Sequence, residues 1–334
     1  MSGRRVLHVA SVAALALAAA ACTIQHRAPV PASPAMDDHM MGMTAAEMAA
    51  PTITPSADGA QGVEGLPPSA NTAAARIAGS PRHGEWVKIA WTPGSKDSLM
   101  AWIVYPVTSR QHTPVVVIVH EIFGLSTWVR GVADQVAADG FIAIAPDLLS
   151  RVRGGPTADE LPSDSAVKLI RGVSTAERAE GITAAARYAM SQPSAAQRYG
   201  VIGFCWGGTT TWDYAINQGT KGFSGGVAFY GLPYIQNGVP VADSLTKIRV
   251  PVMLLSGAKD ARIGAAMPAV DSAMHAMQKD YFGKNYEGAI HGFMRAQNDP
   301  GPRTDAATQE ANLAAAKDAW PRTVSFLKKN LRLD

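Results

Sequence analysis

Three segments of this sequence hold side chains that together could transfer an acyl group. Gly203-Phe204-Cys205-Trp206-Gly207 fits the nucleophile-elbow pattern Gly-x-Ser-x-Gly, with sulfur in place of the hydroxyl. Such an elbow turns sharply from strand to helix, which forces strained backbone angles on the nucleophile and leaves no room for bulk beside it. The helix N-terminus beneath the sulfur favours thiolate. Asp260 ends Gly257-Ala258-Lys259-Asp260 after an apolar run, and His291 lies in Ala289-Ile290-His291-Gly292-Phe293. Taken singly, the cysteine reads as a buried structural thiol and the other two as solvated loop groups. Their order of nucleophile, acid, histidine, each after an expected strand, argues instead for a triad gathered at one edge of a sheet.

The elements needed to gather them are legible in the pattern of apolar residues. Glu85 to Trp91 and Met100 to Tyr105 read as a hairpin across Pro93-Gly94-Ser95. Val115 to His120 is a continuous β-branched run of the kind a buried parallel strand requires, and Phe141 to Ala145, Tyr199 to Phe204, Gly226 to Tyr230 and Val250 to Ser256 repeat it, with a further strand around Asn285 to Glu287. Helical spacing falls between them, over Trp128–Ala138, Ala176–Met190, Thr209–Asn217 and Met267–Lys279, and Thr308–Lys329 closes the chain. The expected fold class is α/β, a mostly parallel doubly wound sheet with helices on both faces. Gly203-Phe204-Cys205-Trp206-Gly207-Gly208 has the wrong internal spacing for a dinucleotide fingerprint, and no internal repeat is present.

Ahead of this domain, expected over residues 81–334, lie two different stretches. Arg4-Arg5 and the apolar run Val6 to Ala21, ending in small residues, have the layout of a signal peptide over residues 1–22. The run is too short to span a bilayer, so the expected location is the periplasm or cell envelope. Ala19-Ala20-Ala21-Cys22 also resembles a lipoprotein cleavage box, in which Cys22 would carry the lipid and provide the only membrane attachment. Residues 23–80, rich in Ala, Pro, Ser, Thr and Met, read as a disordered tether. Within it, Met36-Asp37-Asp38-His39-Met40-Met41-Gly42-Met43 offers thioether, carboxylate and imidazole ligands for copper, against the simpler reading of a solvated linker.

With 334 residues, 47% of them hydrophobic, the chain can form one substantial core. Thirty basic against 27 acidic residues leave a net charge of +3, which gives no field suited to nucleic acid. Of two cysteines, Cys22 is lipidated or removed on export, so Cys205 stands as a lone thiol with no disulfide partner.

The sequence resembles the dienelactone hydrolase family of α/β-hydrolases from about Glu85 to Leu331. The resemblance rests on His120-Glu121-Ile122-Phe123-Gly124, Ala145-Pro146-Asp147-Leu148, Gly203 to Gly208, Asp260, and His291-Gly292-Phe293-Met294-Arg295. It implies Cys205 as nucleophile, His291 as general base and acid, and Asp260 as the group that orients the imidazole. It further implies that Glu121 pairs with the thiol and takes its proton when substrate binds, and that the N–H groups of Ile122 and Trp206 form the oxyanion hole. Arg295 falls where the family binds a substrate carboxylate. A second such arginine has no alignable counterpart, although Arg151, Arg153, Lys168, Arg171 and Arg178 lie in the right region. Phe123, Trp128, Tyr230 and Phe293 are candidates for an apolar pocket wall or for core.

A thiolate that has added to a carbonyl is itself a good leaving group, with a thiol pKa of ~8.5. Unless the departing oxygen is protonated efficiently, ester cleavage goes forward only when that oxygen leaves at least as readily, which selects substrates with enol, phenol or similarly good leaving groups and disfavours amides. The expected partner is a small-molecule ester or lactone, and neither cofactor nor metal is required. Two rivals remain open at this point: an acyltransferase or thioesterase on the same fold, and a non-catalytic envelope lipoprotein that binds a ligand or copper.

Overall fold

Every residue of β3 (Thr113–Val119) is buried, which explains why it reads in sequence as an unbroken apolar run rather than an alternating one. The computed structural model describes residues 53–55, 60–108, 111–157, 162–217, 219–236, 239–301 and 304–332. The expected signal peptide, Cys22 and the Met36–Met43 cluster lie outside the described residues. Among the described residues no helix is long and apolar enough to cross a membrane.

Eight strands form the main sheet in the order β1-β2-β4-β3-β5-β6-β9-β10. The hairpin β1 (Gly84–Ala90) and β2 (Ser98–Val104) forms the antiparallel edge, and β2 also runs antiparallel to β4 (Ile142–Pro146). From β4 onward, β3, β5 (Ala195–Phe204), β6 (Phe223–Phe229), β9 (Val252–Gly257) and β10 (Tyr281–Tyr286) are parallel. Their carboxyl ends consequently share one rim, where the loops bearing residues 120–124, 205–206, 260 and 291 emerge. A short ribbon of β7 (Ile235–Gln236) and β8 (Val239–Pro240) stands apart from it.

The helices cover the sheet, and among the described residues the four longest begin at side-chain N-caps. Helix α2 (Thr127–Ala138) is capped by Ser126 Oγ, which accepts from Val129 N–H. Two short helices, α3 (Ser150–Arg153) and α4 (Ser163–Arg171), precede α5 (Thr175–Met190), which opens with a reciprocal capping box between Ser174 and Glu177. Helix α6 (Trp206–Ile216) follows the elbow directly, buried along its whole length, and α7 (Ala242–Leu245) is a single turn. Helix α8 (Ala261–Ala276) starts six residues before its expected start at Met267, because Gly264 and Pro268 break the sequence pattern while Asp260 supplies the N-cap.

After the single-turn α9 (Phe293–Ala296), α10 (Ala306–Leu331) runs for 26 residues, about 39 Å. Asn312 near its start faces the loop before His291, and Leu327 near its end packs beside Gly200 of β5.

The boundary expected at residue 80 falls elsewhere. Residues 60–79, placed by composition in a disordered tether, are ordered and include α1 (Ala73–Ala78). Leu66, Ser69, Ala70 and Ala73 are buried. Hydrogen bonds help to anchor this segment, among them Trp128 Nε1–H to Pro68 O and Ala70 N–H to Arg295 O, and hydrophobic content gives no sign of these.

Candidate active site

The elbow is built around steric necessity. Cys205 has φ 56° and ψ −117°, a left-handed backbone that few non-glycine residues adopt, and its own N–H donates to Phe229 O at 3.0 Å. A Cβ on Gly203 would sit 1.9 Å from Gly207 O, and one on Gly207 would sit 2.3 Å from Val119 O. The turn is therefore closed against β3 on one side and its own helix on the other. The thiol is left at the N-cap of α6, where the helix dipole is positive.

Asp260 serves two purposes at once. Its Oδ1 accepts from Ile263 N–H at 3.1 Å, capping α8, while its Oδ2 accepts from His291 Nδ1–H at 2.6 Å. Burial alone would raise this carboxyl, but the His291 hydrogen bond and charge, the Arg262 guanidinium and the Ile263 N–H hold it below the ordinary carboxylate range. His291 is shifted in the opposite sense. Burial would lower it, yet the neighbouring Cys205 sulfur and the Asp260 carboxylate push it up to about 10. With Nδ1 bound to Asp260, Nε2 is buried and has no well-formed hydrogen bond, although the Cys205 side chain is near enough to act on the ring. Such slack between sulfur and imidazole is ordinary before substrate arrives.

The loop after β3 is fixed by His120, whose role was not legible in sequence. Its Nδ1–H donates to Glu121 O at 2.6 Å and its Nε2 accepts from Leu148 N–H at 3.1 Å. One fully buried ring, held neutral chiefly by desolvation, thus ties the Glu121-Ile122 backbone to the Asp147-Leu148 loop and stacks on Trp206. Asp147 secures that second loop by accepting from Thr157 N–H at 2.5 Å and Leu149 N–H at 3.2 Å. Among the described residues nothing accepts from the Ile122 N–H.

Asn312 was also missed, because an asparagine inside a long helix carries no sequence signal of the loop it faces. Its Oδ1 accepts from Ile290 N–H at 3.0 Å, steadying the residue before His291. Lys259 N–H donates to Ala289 O at 2.8 Å, joining the acid loop to the histidine loop.

Glu121 and Arg295, expected to meet the thiol and the substrate respectively, instead meet each other. Arg295 Nε lies 2.8 Å from Glu121 Oε2, with both side chains buried. The angle is poor for a hydrogen bond, so the contact is one of charge rather than of aligned donor and acceptor. Arg295 also lies 5.3 Å over the Phe123 ring. Tyr230 stands among these groups. Its ring is 4.9 Å from that of His291, its hydroxyl is buried without a partner, and burial together with Glu121 holds that hydroxyl protonated.

The remaining candidates separate. Phe293 packs with Phe229, Tyr230 and Tyr286. Trp128 belongs to the core under residues 60–79, its ring set edge-on to Phe204 and its Nε1–H donating to Pro68 O at 3.0 Å. Among the arginines that might have supplied a second carboxylate ligand, Arg151 is half-exposed and pairs with Asp97 and Glu177. Arg178 is buried against Thr175, Thr210, Asp213 and the Trp206 ring. Burial opposes the charge on both Arg178 and Asp213, so this pair is a structural contact beneath the elbow. Among the described residues no cluster of three or more His, Cys, Asp or Glu is arranged for a metal.

A thiol on a strained strand-to-helix turn, beside a buried His–Asp pair, thus stands at the carboxyl rim of a mostly parallel sheet, in an α/β-hydrolase fold. The chain belongs to the dienelactone hydrolase family, whose sequence pattern matches residues 99–331. It is a carboxylic ester hydrolase of that type.

Among its relatives is a Synechocystis protein named "Putative carboxymethylenebutenolidase", 27% identical over 72% of this chain and 95% of its own length. Another is a Bradyrhizobium protein named "Probable 2-oxo-3-(5-oxofuran-2-ylidene)propanoate lactonase", 30% identical over 74% of this chain and 94% of its own length. The crystal structure titled "Putative Dienelactone Hydrolase" from Klebsiella pneumoniae superposes with a TM-score of 0.56 at 25% identity, covering 73% of this chain and 98% of that one.

Proposed function

We propose that the enzyme hydrolyses an activated, anionic ester or enol lactone through an acyl-cysteine at Cys205. The observation that carries this reading is the placement of the thiol at the α6 N-terminus beside an imidazole already oriented by Asp260. In the ligand-free enzyme Arg295 is neutralised by Glu121. A substrate carboxylate competes for the guanidinium, and the released Glu121 carboxylate then accepts the Cys205 proton. The thiolate adds to the substrate carbonyl, whose oxyanion is met by the N–H groups of Ile122 and Trp206. Collapse expels the enolate or phenolate oxygen, protonated by the imidazolium of His291. Water, deprotonated by His291, then adds to the thioester, and the expelled sulfur takes its proton back from Glu121, which regenerates the enzyme. Phe123, Phe293 and Tyr230 border the path of the acyl group, and the names of the relatives support a lactone as substrate.

The test is a panel of enol, aryl and alkyl esters, each with and without a carboxylate, assayed on wild type, Cys205→Ala and Arg295→Ala. Wild type is expected to prefer enol and aryl over alkyl esters and to show an acyl adduct on Cys205 by intact mass. Faster turnover of alkyl esters, or turnover surviving in Cys205→Ala, overturns the mechanism. We also propose that residues 1–22 direct export to the cell envelope. The mass of the mature N-terminus distinguishes cleavage with lipid on Cys22, cleavage without it, and retention of the leader, the last of which refutes export by this route.

A further inference from the structure

The segment that precedes the family's own span reaches the recognition side of the site. The family match begins at residue 99, yet residues 67–71 are bound to the loop that carries Arg295 at several separate points. Ala70 N–H donates to the backbone carbonyl of Arg295 itself at 2.9 Å. Gln297 Nε2 donates to Pro67 O at 2.8 Å. Ser69 Oγ donates to Asp299 Oδ1 at 2.7 Å, and Asn71 N–H donates to Asp299 Oδ2 at 3.0 Å. On its other side the segment is held by Trp128 Nε1–H, which donates to Pro68 O at 3.0 Å, and by the Arg76 guanidinium, which bonds Gln61, Val63, Leu66 and Gln135.

The loop so clamped would not keep its shape unaided. Helix α9 is a single turn, too short to be stable alone, and ends at Gln297 with φ 42° and ψ −126°. A non-glycine residue stays in that conformation only where its surroundings impose it. Here the imposing groups are Pro67, whose carbonyl takes the Gln297 side chain, and Ala70, whose N–H takes the carbonyl two residues earlier. The Pro67-Pro68 pair limits the freedom of the backbone that presents these groups.

We infer that residues Pro67–Asn71 are a positioning element for Arg295: they clamp its backbone so that the guanidinium stays where it can exchange Glu121 for the carboxylate of an anionic ester. The inference rests on Arg295 being the substrate's carboxylate ligand, as proposed above. It adds that the leading segment, which composition assigns to a linker, sets the enzyme's preference for charged substrates. Among the described residues the hydrogen bonds from the clamp to this loop go to Arg295, Gln297 and Asp299 and none to the thiol or the imidazole, so loosening it acts on recognition and leaves the chemical step nearly intact.

The experiment uses the full chain with Asp299→Ala, which removes the acceptor shared by Ser69 and Asn71, and with Ala70→Pro, which removes the donor to Arg295 O. Ser69→Ala serves as a milder third variant. Each is assayed on a matched pair of aryl esters, one bearing a carboxylate and one neutral, alongside Arg295→Ala. Hydrogen exchange over residues 60–79 reports release of the clamp, and kcat on the neutral ester reports folding.

The expected result is a KM for the anionic ester raised by roughly tenfold in Asp299→Ala and Ala70→Pro, with neutral-ester kcat/KM changed by less than about threefold. Ser69→Ala should fall between these and wild type. Faster exchange with no change in the anionic preference, while Arg295→Ala abolishes that preference, overturns the clamp and leaves the carboxylate reading standing. Loss of preference in none of the variants, Arg295→Ala included, overturns both. Equal losses on both esters in the clamp variants would mean general damage to the fold, and a specific positioning role is then refuted.

Discussion

The two halves of this site are built differently, one around Cys205 and the other around Arg295. Around Cys205, the side proposed to be catalytic, Cys205 and Asp260 each stand where a strand gives way to a helix, and the loop of Asp260 is bonded to the loop of His291. Asp260, for instance, caps α8 and orients His291 with its two oxygens. On the side proposed for substrate recognition, Arg295 rides on a single helical turn, is paired with an internal carboxylate, and has its backbone bonded from more than two hundred residues away. The difference separates what each half can change. A scaffold made from the sheet fixes the chemistry, while a loop held by exchangeable contacts can retune the substrate without disturbing that chemistry.

Substitutions should sort into the two halves by what they damage. Cys205→Ala is expected to have the largest effect, lowering kcat by at least about 10⁴-fold with little change in urea midpoint. Asp260→Asn should follow with roughly 10²- to 10⁴-fold, since it leaves the imidazole in the wrong tautomer. A midpoint that fell sharply in Cys205→Ala would break the separation.

Glu121→Ala should lose stability as well as turnover, since the proposed acceptor of the Cys205 proton goes with it. It leaves the Arg295 charge buried without its counter-ion, at a cost of about 3 kcal/mol in urea unfolding. If stability is untouched, the ion pair is not the internal substitute for substrate that the comparison requires.

The pH dependence of stability sharpens the catalytic side. His291 binds its proton more tightly folded than unfolded, near 10 against an unfolded value of about 6.5. Its stabilising contribution is therefore complete below pH 6.5 and is lost as pH rises toward 10. The stability gap between wild type and His291→Gln should narrow across that window. In Cys205→Ser the ring loses the sulfur that helps to hold its proton, so its titration followed by NMR should move to lower pH. The smallest expected effect is that of Ser126→Ala, which uncaps α2 for about 1 kcal/mol and leaves both halves working.

Sequence reading reached these two halves unequally, for the same physical reason. The convergence of Cys205, Asp260 and His291 is legible because glycines that permit the elbow and apolar runs that make strands are local signals. The strand ends then bring Cys205, Asp260 and His291 together by topology alone. Arg295 and Glu121 were legible as residues through resemblance, but their pairing was not, because it depends on side-chain directions at two separate loops. The ordered stretch 60–79 was misread entirely. It is rich in small residues and prolines and is held by backbone donors and acceptors, so a measure of hydrophobic content undervalues it. His120 and Asn312 escaped for a related reason, each bonding a main-chain group that any residue could have presented.

Helix α10 has one foot beside the histidine loop, through Asn312, and the other beneath the middle of the sheet, where Leu327 lies against Gly200. A rod anchored at both places cannot release His291 while the strands above it stay together. Heating should consequently silence the enzyme and melt it in one step, with the activity curve and the calorimetric transition superimposed rather than offset.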